Sequence, residues 1–299
     1  MLVSKSMPVS ILSKMVYKAK AFFELVKLRL SVLVVFSAAM GYLIASTTID
    51  WVIFTWFSLG AFLVTAAANT INQIIEVESD KLMKRTQQRP IPTGRVTRIE
   101  ALLFALIMSI TGLCILYHFT NALTTWLSFT SLALYCFFYT PMKKLSPWAV
   151  FVGAFPGAAP PLLGWVAATD TISVYAIVLF GIQFIWQFPH FWSIAWVLDE
   201  DYRSAGFKLL PSSGGKNFFS AFQIMLYALF LVPLSLLPLR VGMSGVVSAI
   251  ILGVSAILFV IPTASLMKDF SKKSALRIMF ASFLYLPIVL VALYIDRSY

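Results

Sequence analysis

Long apolar runs, each near the ~20 residues a helix needs to cross a bilayer, follow one another along this chain with only short polar interruptions. In hydrocarbon every backbone polar group needs an internal partner, so such a chain can only form a helix bundle or a closed barrel. The stretch Ile250–Val260 carries apolar residues at successive positions instead of alternating them, which excludes the barrel. Nine spans are expected: Leu30–Ala45, Trp51–Ile75, Ala101–Tyr117, Leu123–Tyr139, Trp148–Ala168, Ile172–Val197, Phe218–Leu237, Gly242–Ile261 and Ala275–Ile295. Composition agrees, since the 299 residues are 60% hydrophobic and 12% charged, with a mean hydropathy of +0.88. The expected fold class is an all-α polytopic membrane protein.

A net charge of +11 could point to nucleic acid or to anionic lipid, and the placement of the bases decides. All except Arg240 and Arg297 precede the first span or lie around the loops after the second, fourth, sixth and eighth. That is the positive-inside pattern, with the N-terminus and these loops in the cytoplasm and the C-terminus outside; no nucleic-acid partner is expected. Within residues 1–28, lysines interleave with Ile11, Leu12, Met15, Val16, Phe22 and Phe23, as in a cytoplasmic amphipathic helix lying on the lipid surface. Transit peptides are usually Arg-rich, and no Arg precedes Arg29, so a mitochondrial location fits less well than the bacterial cytoplasmic membrane. Residues 29–299 then form a single nine-helix domain. Cys114 and Cys136 fall inside expected helices without metal-ligand spacing and read as packing residues.

The short outer loops leave the chemistry to the opposite face, where the loops near 76–100 and 199–217 are the longest polar stretches. At the end of the second span Asn72, Glu76 and Asp80 recur every four residues and share one helical stripe. Oxygen donors at that spacing suit one or two hard cations that also hold substrate phosphates. Lys81, Arg85 and Arg89 follow, and forked guanidiniums suit phosphate oxygens. Metal-holding carboxylates beside phosphate-holding bases are what a diphosphate leaving group requires, because its developing charge must be neutralised before the C–O bond breaks. The plain alternative is a charged cytoplasmic cap, but Asn72 and Glu76 continue an apolar span, where polar groups are costly unless used.

After the sixth span come Asp199, Glu200, Asp201 and Arg203, on the same side as the first cluster by parity of the spans. Three adjacent acids can simply be solvated; in a chain with 12 acids they also read as a second metal half-site. His190 follows Pro189 in the aromatic stretch Trp186–Trp192, which places it near the inner end of the helix or at a kink. Its readings are a satisfied structural histidine, or a base or porphyrin contact.

At these residues the chain resembles the UbiA superfamily of intramembrane prenyltransferases. The resemblance covers nearly the whole chain: Asn72, Glu76 and Asp80 match the first acidic motif, with Glu where most members have Asp. Glu200 and Asp201 fall where the second motif clusters its aspartates. The strings Arg85-Thr-x-x-Arg89-Pro90, Tyr139-Thr140-Pro141-x-Lys143, Trp186-Gln-x-Pro-His190-Phe191 and Asp201-Tyr202-x-x-Ala205-Gly206 resemble its haem-prenylating branch. The resemblance implies nine transmembrane helices in a UbiA-like bundle around a central cavity. It further implies farnesyl diphosphate held through Mg²⁺, and haem B as acceptor. Implied metal ligands are Asn72, Glu76, Asp80 and a choice among Asp199, Glu200 and Asp201; implied diphosphate contacts are Lys81, Arg85, Arg89, Lys143 and Arg203. Catalytic roles fall to Asn72, Glu76, Asp80, His190 and Asp201, and expected partners are haem A synthase or terminal-oxidase assembly factors. The rivals are an aromatic quinone precursor as acceptor, and a haem carrier or transporter. Transport sites lie at the bilayer midplane on broken helices, whereas these acids end the spans.

Overall fold

The computed structural model describes residues 11–212 and 215–298, with side chains from Met15 onward. The helices in chain order are α1 (Ile11–Leu25), α2 (Leu28–Ala45), α3 (Trp51–Ile75), α4 (Val77–Leu82), α5 (Arg98–Phe119), α6 (Ala122–Ala133), α7 (Thr140–Leu145), α8 (Ala149–Thr169), α9 (Val174–Val197), α10 (Asp199–Ser204), α11 (Phe218–Leu234), α12 (Leu237–Arg240), α13 (Val246–Asp269) and α14 (Lys272–Ile295). Among the described residues nine helical segments are long and apolar enough to cross a membrane, and there is no strand beyond one bridge between Ser244 and Arg297. Consecutive spans pack side by side and α14 returns to α2, while α2 against α8 and α9 against α14 pack across the bundle.

Small residues make the central seam. A Cβ on Gly164 would lie 1.9 Å from the carbonyl oxygen of Ala38, and one on Gly41 would lie 2.1 Å from that of Pro161, so the α2 and α8 backbones touch. Without a hydrophobic drive between helices in lipid, such close approach supplies the packing attraction. Helix α8 also contains Pro156, Pro160 and Pro161. Pro161 cannot donate to the carbonyl of Gly157, and Gln183 of α9 does so instead through Nε2 at 2.8 Å. The Gln183 oxygen accepts from Ser37 of α2 at 2.6 Å, so one amide ties three spans together.

Several span ends differ from expectation. The fourth span runs on to Leu145 because its backbone widens to a π-helix over Leu134–Tyr139, and Pro141 falls just after that register change. The eighth begins at Val246, after Gly242 at φ 76°, and continues through Pro262 to Asp269. Membrane helices tolerate an internal proline because neighbours and local adjustments compensate the freed carbonyl. Pro189 likewise leaves α9 continuous to Val197, so His190 lies within the helix toward its inner end. Cys136 is buried as a packing residue, but Cys114 is exposed on α5, its side turned away from the bundle.

The two ends of the bundle are unlike. At one, Asp296 accepts from the backbone N–H of Ser248 at 2.6 Å and of Gly245 at 2.9 Å, capping α13, beside Arg297 stacked on Tyr294. At the other, α3 and α9 stop in the same way. Glu76 (φ −91°, ψ 9°) and Leu198 (φ −102°, ψ 16°) each end a long helix, and each is followed by a six-residue helix carrying acids. Those short helices meet, since the Ser204 hydroxyl oxygen lies 2.7 Å from the Asp201 carbonyl of its own helix and 3.2 Å from the carbonyl of Leu82. Helix α1 covers this end: Ala21 and Leu25 pack on Val77, Ile91, Val96 and Ala101, while Met15, Val16, Tyr17 and Phe23 stay exposed. Residues 1–10, with Lys5, and the side chains of Ile11 and Leu12 lie outside the described residues.

Candidate active site at the mouth of the bundle

A cavity of about 140 Å³ opens where α3, α4, the fourth span and the loop after α10 converge. Lys27, Asn72, Glu76, Asp80, Arg85, Arg89, Tyr135, Tyr139, Lys143, Tyr202 and Phe207 line it. Pockets for drug-sized ligands usually exceed ~300 Å³, so this volume suits a polar head group.

The acids are buried and each is matched. Glu76 accepts from Lys143 at 2.8 Å, with both side chains nearly sealed from solvent. Asp80, fully buried, accepts from Arg89 Nη1 through both oxygens at 2.8 and 2.7 Å. Its backbone carbonyl accepts from the Thr86 hydroxyl at 2.9 Å, which folds the loop back under α4. Lys143 also sits 4.6 Å from the Tyr139 ring centre, a cation–π contact that holds the ammonium over the cavity. Asn72 accepts from Lys27 at 3.3 Å and donates to Thr140 at 3.2 Å.

Lys27 occupies the joint between α1 and α2 in a left-handed conformation (φ 50°, ψ 56°), which is unfavourable for a residue with a Cβ. Gln73 donates to the carbonyl of Leu25 at 2.8 Å, Ser31 donates to that of Val26 at 2.7 Å, and Asn69 donates to Ser31 at 3.1 Å. These bonds hold the joint and aim Lys27 into the cavity. Burial there, with Arg89 and Lys143 nearby, pushes its ammonium down to about 7, against the pull of Glu76 and Asp80.

Of the site residues expected from sequence, Asn72, Glu76, Asp80, Arg85, Arg89 and Lys143 come together here. Lys81 and Arg203 do not face the cavity: Lys81 pairs with the exposed Glu78, and the exposed Arg203 pairs with Asp199 at 3.1 Å. Each sits on the outer turn of a short helix, where an acid three or four residues earlier captures it. Asp199 also meets Lys216 at 3.6 Å, Glu200 is exposed, and Asp201 is partly buried next to the cavity-lining Tyr202. His190 lies apart, held between α9 and α14. Its ring stacks on Trp186 with centres 4.5 Å apart, and Nδ1 is 2.7 Å from the Ser282 hydroxyl oxygen. That hydroxyl donates to the Met279 carbonyl at 2.6 Å, so Nδ1 carries a proton, and in the neutral ring Nε2 keeps its lone pair.

Sequence reasoning counted Lys27 only among the bases ahead of the first span, quoted Tyr202 only within a string of resemblance, and missed Tyr135 and Phe207. Lys27 has no local signal, because contacts with α3 set its direction.

The sequence profile described as "UbiA prenyltransferase family" matches residues 34–286. The chain is a UbiA-family prenyltransferase. Among curated relatives, a protoheme IX farnesyltransferase of Cytophaga hutchinsonii is 51% identical over 283 residues, covering 94% of this chain and 98% of the relative. One of the same description from Flavobacterium psychrophilum is 41% identical, covering 92% and 94%. Among solved structures, a digeranylgeranylglyceryl phosphate synthase superposes with a TM-score of 0.78 at 25% identity, covering 93% of this UbiA-family chain and 98% of the other. A UbiA homologue from Archaeoglobus fulgidus bound to DMAPP and Mg²⁺ gives 0.72 at 13% identity, covering 91% and 98%, which shows the shared fold.

The donors of this UbiA-family site fit a hard cation. Asn72, Glu76 and Asp80 offer oxygen only, and among the described residues no three acidic, histidine or cysteine side chains close a cage by themselves. Mg²⁺ favours such a half-built site, taking one or two carboxylates and completing its shell with substrate phosphates.

Proposed function

We propose that this chain transfers the farnesyl group of farnesyl diphosphate to a vinyl group of haem B, giving haem O. What carries the reading is the pairing of buried Glu76 and Asp80 with Lys143 and Arg89 around one head-group cavity, in a chain 51% identical to a protoheme IX farnesyltransferase.

Asn72, Glu76 and Asp80, with Asp201 of α10, would hold Mg²⁺, which would supply charge neutralisation for the departing diphosphate. Asp199 and Glu200 are assigned the supporting part of that half-site. Arg85, Arg89, Lys143 and Lys27 hold the phosphate oxygens, and fixed donors of this kind favour the charge that grows as the C–O bond breaks. Lys81 and Arg203, at the rim, attract the anion on its way in. Tyr135 and Tyr139 line the cavity, and aromatic walls suit an allylic cation and keep water from it. The lone pair of His190 Nε2, in its aromatic setting, is assigned to contact the porphyrin.

The bases around the cavity end support reading it as the cytoplasmic face of a bacterial inner-membrane protein, with the C-terminus on the other side. Residues 29–299 are read as one catalytic domain, and residues 1–28 as a cytoplasmic amphipathic segment. Haem A synthase or terminal-oxidase assembly factors would take up the product.

The test is a reconstitution of purified protein in lipid nanodiscs with Mg²⁺, farnesyl diphosphate and either haem B or a hydroxybenzoate acceptor. A more hydrophobic haem, eluting later on reversed-phase chromatography, is the expected product. Prenylation of the hydroxybenzoate with haem unchanged would overturn the reading. The Asp80→Asn variant separates an enzyme from a haem carrier, since it should lose turnover and still bind haem.

A further inference from the structure

The fourth span makes a π-helical turn directly beside the cavity, and Thr140 is the residue at which it returns to α geometry. The Thr140 backbone N–H donates to the carbonyl of Tyr135, five residues back. Its hydroxyl donates to the same carbonyl at 2.8 Å. A hydroxyl has one hydrogen, so this bond leaves the Thr140 oxygen able only to accept. What it accepts is the Nδ2 of Asn72, at 3.2 Å, and both residues are buried.

The chemistry of a side-chain amide gives that contact its meaning. Its two ends are nearly equal in shape, and only hydrogen-bond partners decide which way it points. Turned over, Asn72 would set its oxygen against an oxygen with no hydrogen to give, and its NH₂ against the Lys27 ammonium. As found, its oxygen faces Lys27 and the cavity, at 3.3 Å from Nζ. An amide oxygen can ligate a hard cation and an amide NH₂ cannot.

We propose that Thr140 is a positioning residue that fixes the amide of Asn72 with its oxygen presented to the metal–diphosphate site. The π-turn sets the Tyr135 carbonyl, already bonded to the Thr140 backbone N–H, within reach of the Thr140 hydroxyl as well, and so sets the polarity of the whole chain of bonds. This inference rests on the Mg²⁺-diphosphate reading above, and groups that orient a metal ligand typically contribute 10–100-fold in metal affinity.

The experiment measures Mn²⁺ binding by electron paramagnetic resonance in the presence of an unreactive farnesyl thiodiphosphate, independent of turnover. Thr140→Val should weaken Mn²⁺ binding by about tenfold or more, and Thr140→Ser should stay within about threefold of the parent. A second pair tests orientation itself. Asn72→Asp presents an oxygen at either end, so in that background Thr140→Val should cost nothing. Equal Mn²⁺ affinity in the parent and Thr140→Val overturns the proposal, as does the same loss from Thr140→Val in both backgrounds, which marks a merely structural role. If the parent with the thiodiphosphate binds no Mn²⁺ at all, the metal reading fails and takes this inference with it.

Discussion

Arg89 reaches nine residues back along the chain to set Nη1 between both carboxylate oxygens of Asp80, at 2.8 and 2.7 Å, where Asp80 has no contact with solvent. The pair links the loop after α4 to the floor of the cavity. Breaking a buried pair from one side leaves the other charge stranded, which costs about 3–5 kcal/mol. Arg89→Ala should therefore lower the unfolding temperature in detergent clearly, and Arg89→Ala with Asp80→Asn should recover most of it. Equal losses in the single and double variants would show that Arg89 acts only by packing.

Glu76 carries the charge nearest Lys143, and its replacement by Gln keeps the shape while removing that charge. Removing one preorganised stabilising group commonly costs ~10²–10³ in kcat. Glu76→Gln should lower turnover by about that factor in the nanodisc assay, and an unchanged rate would exclude the first acidic motif from the reaction.

Chelation gives a reversible counterpart. EDTA should abolish product formation and added Mg²⁺ should restore it, while Ca²⁺, larger and less strict in geometry, should restore it poorly. Full activity in excess EDTA contradicts the metal reading.

Helix α1 is pinned by a pH-sensitive contact. Arg95 donates to Glu24 at 2.9 and 2.7 Å and holds its carboxyl below the ordinary value, while Glu24 raises the guanidinium in turn. A depressed carboxyl stabilises the fold above the unfolded value near 4.5 and loses that effect as pH falls through the folded value. The group is partly exposed, so the effect is about 1 kcal/mol or less. Glu24→Gln should melt slightly below the parent at neutral pH, and the two melting curves should converge as pH falls below 4.5 and through the depressed folded value. A gap that persists in acid would assign the effect to something other than the ion pair.

His190 offers a spectroscopic test. Haem B added to the parent and to His190→Ala should give different Soret and visible bands if the imidazole meets the iron or its porphyrin, while Mn²⁺ binding at the distant mouth stays the same. Identical haem spectra would reduce His190 to its bond with Ser282.

The bundle was legible in the sequence because lipid imposes one rule at every position: apolar runs of one length, closed by charge. The stripe of Asn72, Glu76 and Asp80 was legible because four-residue spacing is local. The break at Glu76 still brings these three to one cavity, although Asp80 belongs to a separate short helix. Lys81 and Arg203 show where that reasoning ends, because the same local spacing turned them toward Glu78 and Asp199. Lys27 and Thr140 were not legible in their roles. The first depends on contacts from Gln73 and Asn69, forty or more residues away, and the second on a π-turn that leaves no signature in an apolar run.

The bond from Gln183 to the carbonyl that Pro161 leaves free has an evolutionary corollary. Each residue makes the other tolerable: the proline exposes an acceptor, and the glutamine would be an unwelcome amide in the bilayer without it. Lineages that replace one should come to replace the other, so these two positions are expected to drift as a pair across distant relatives.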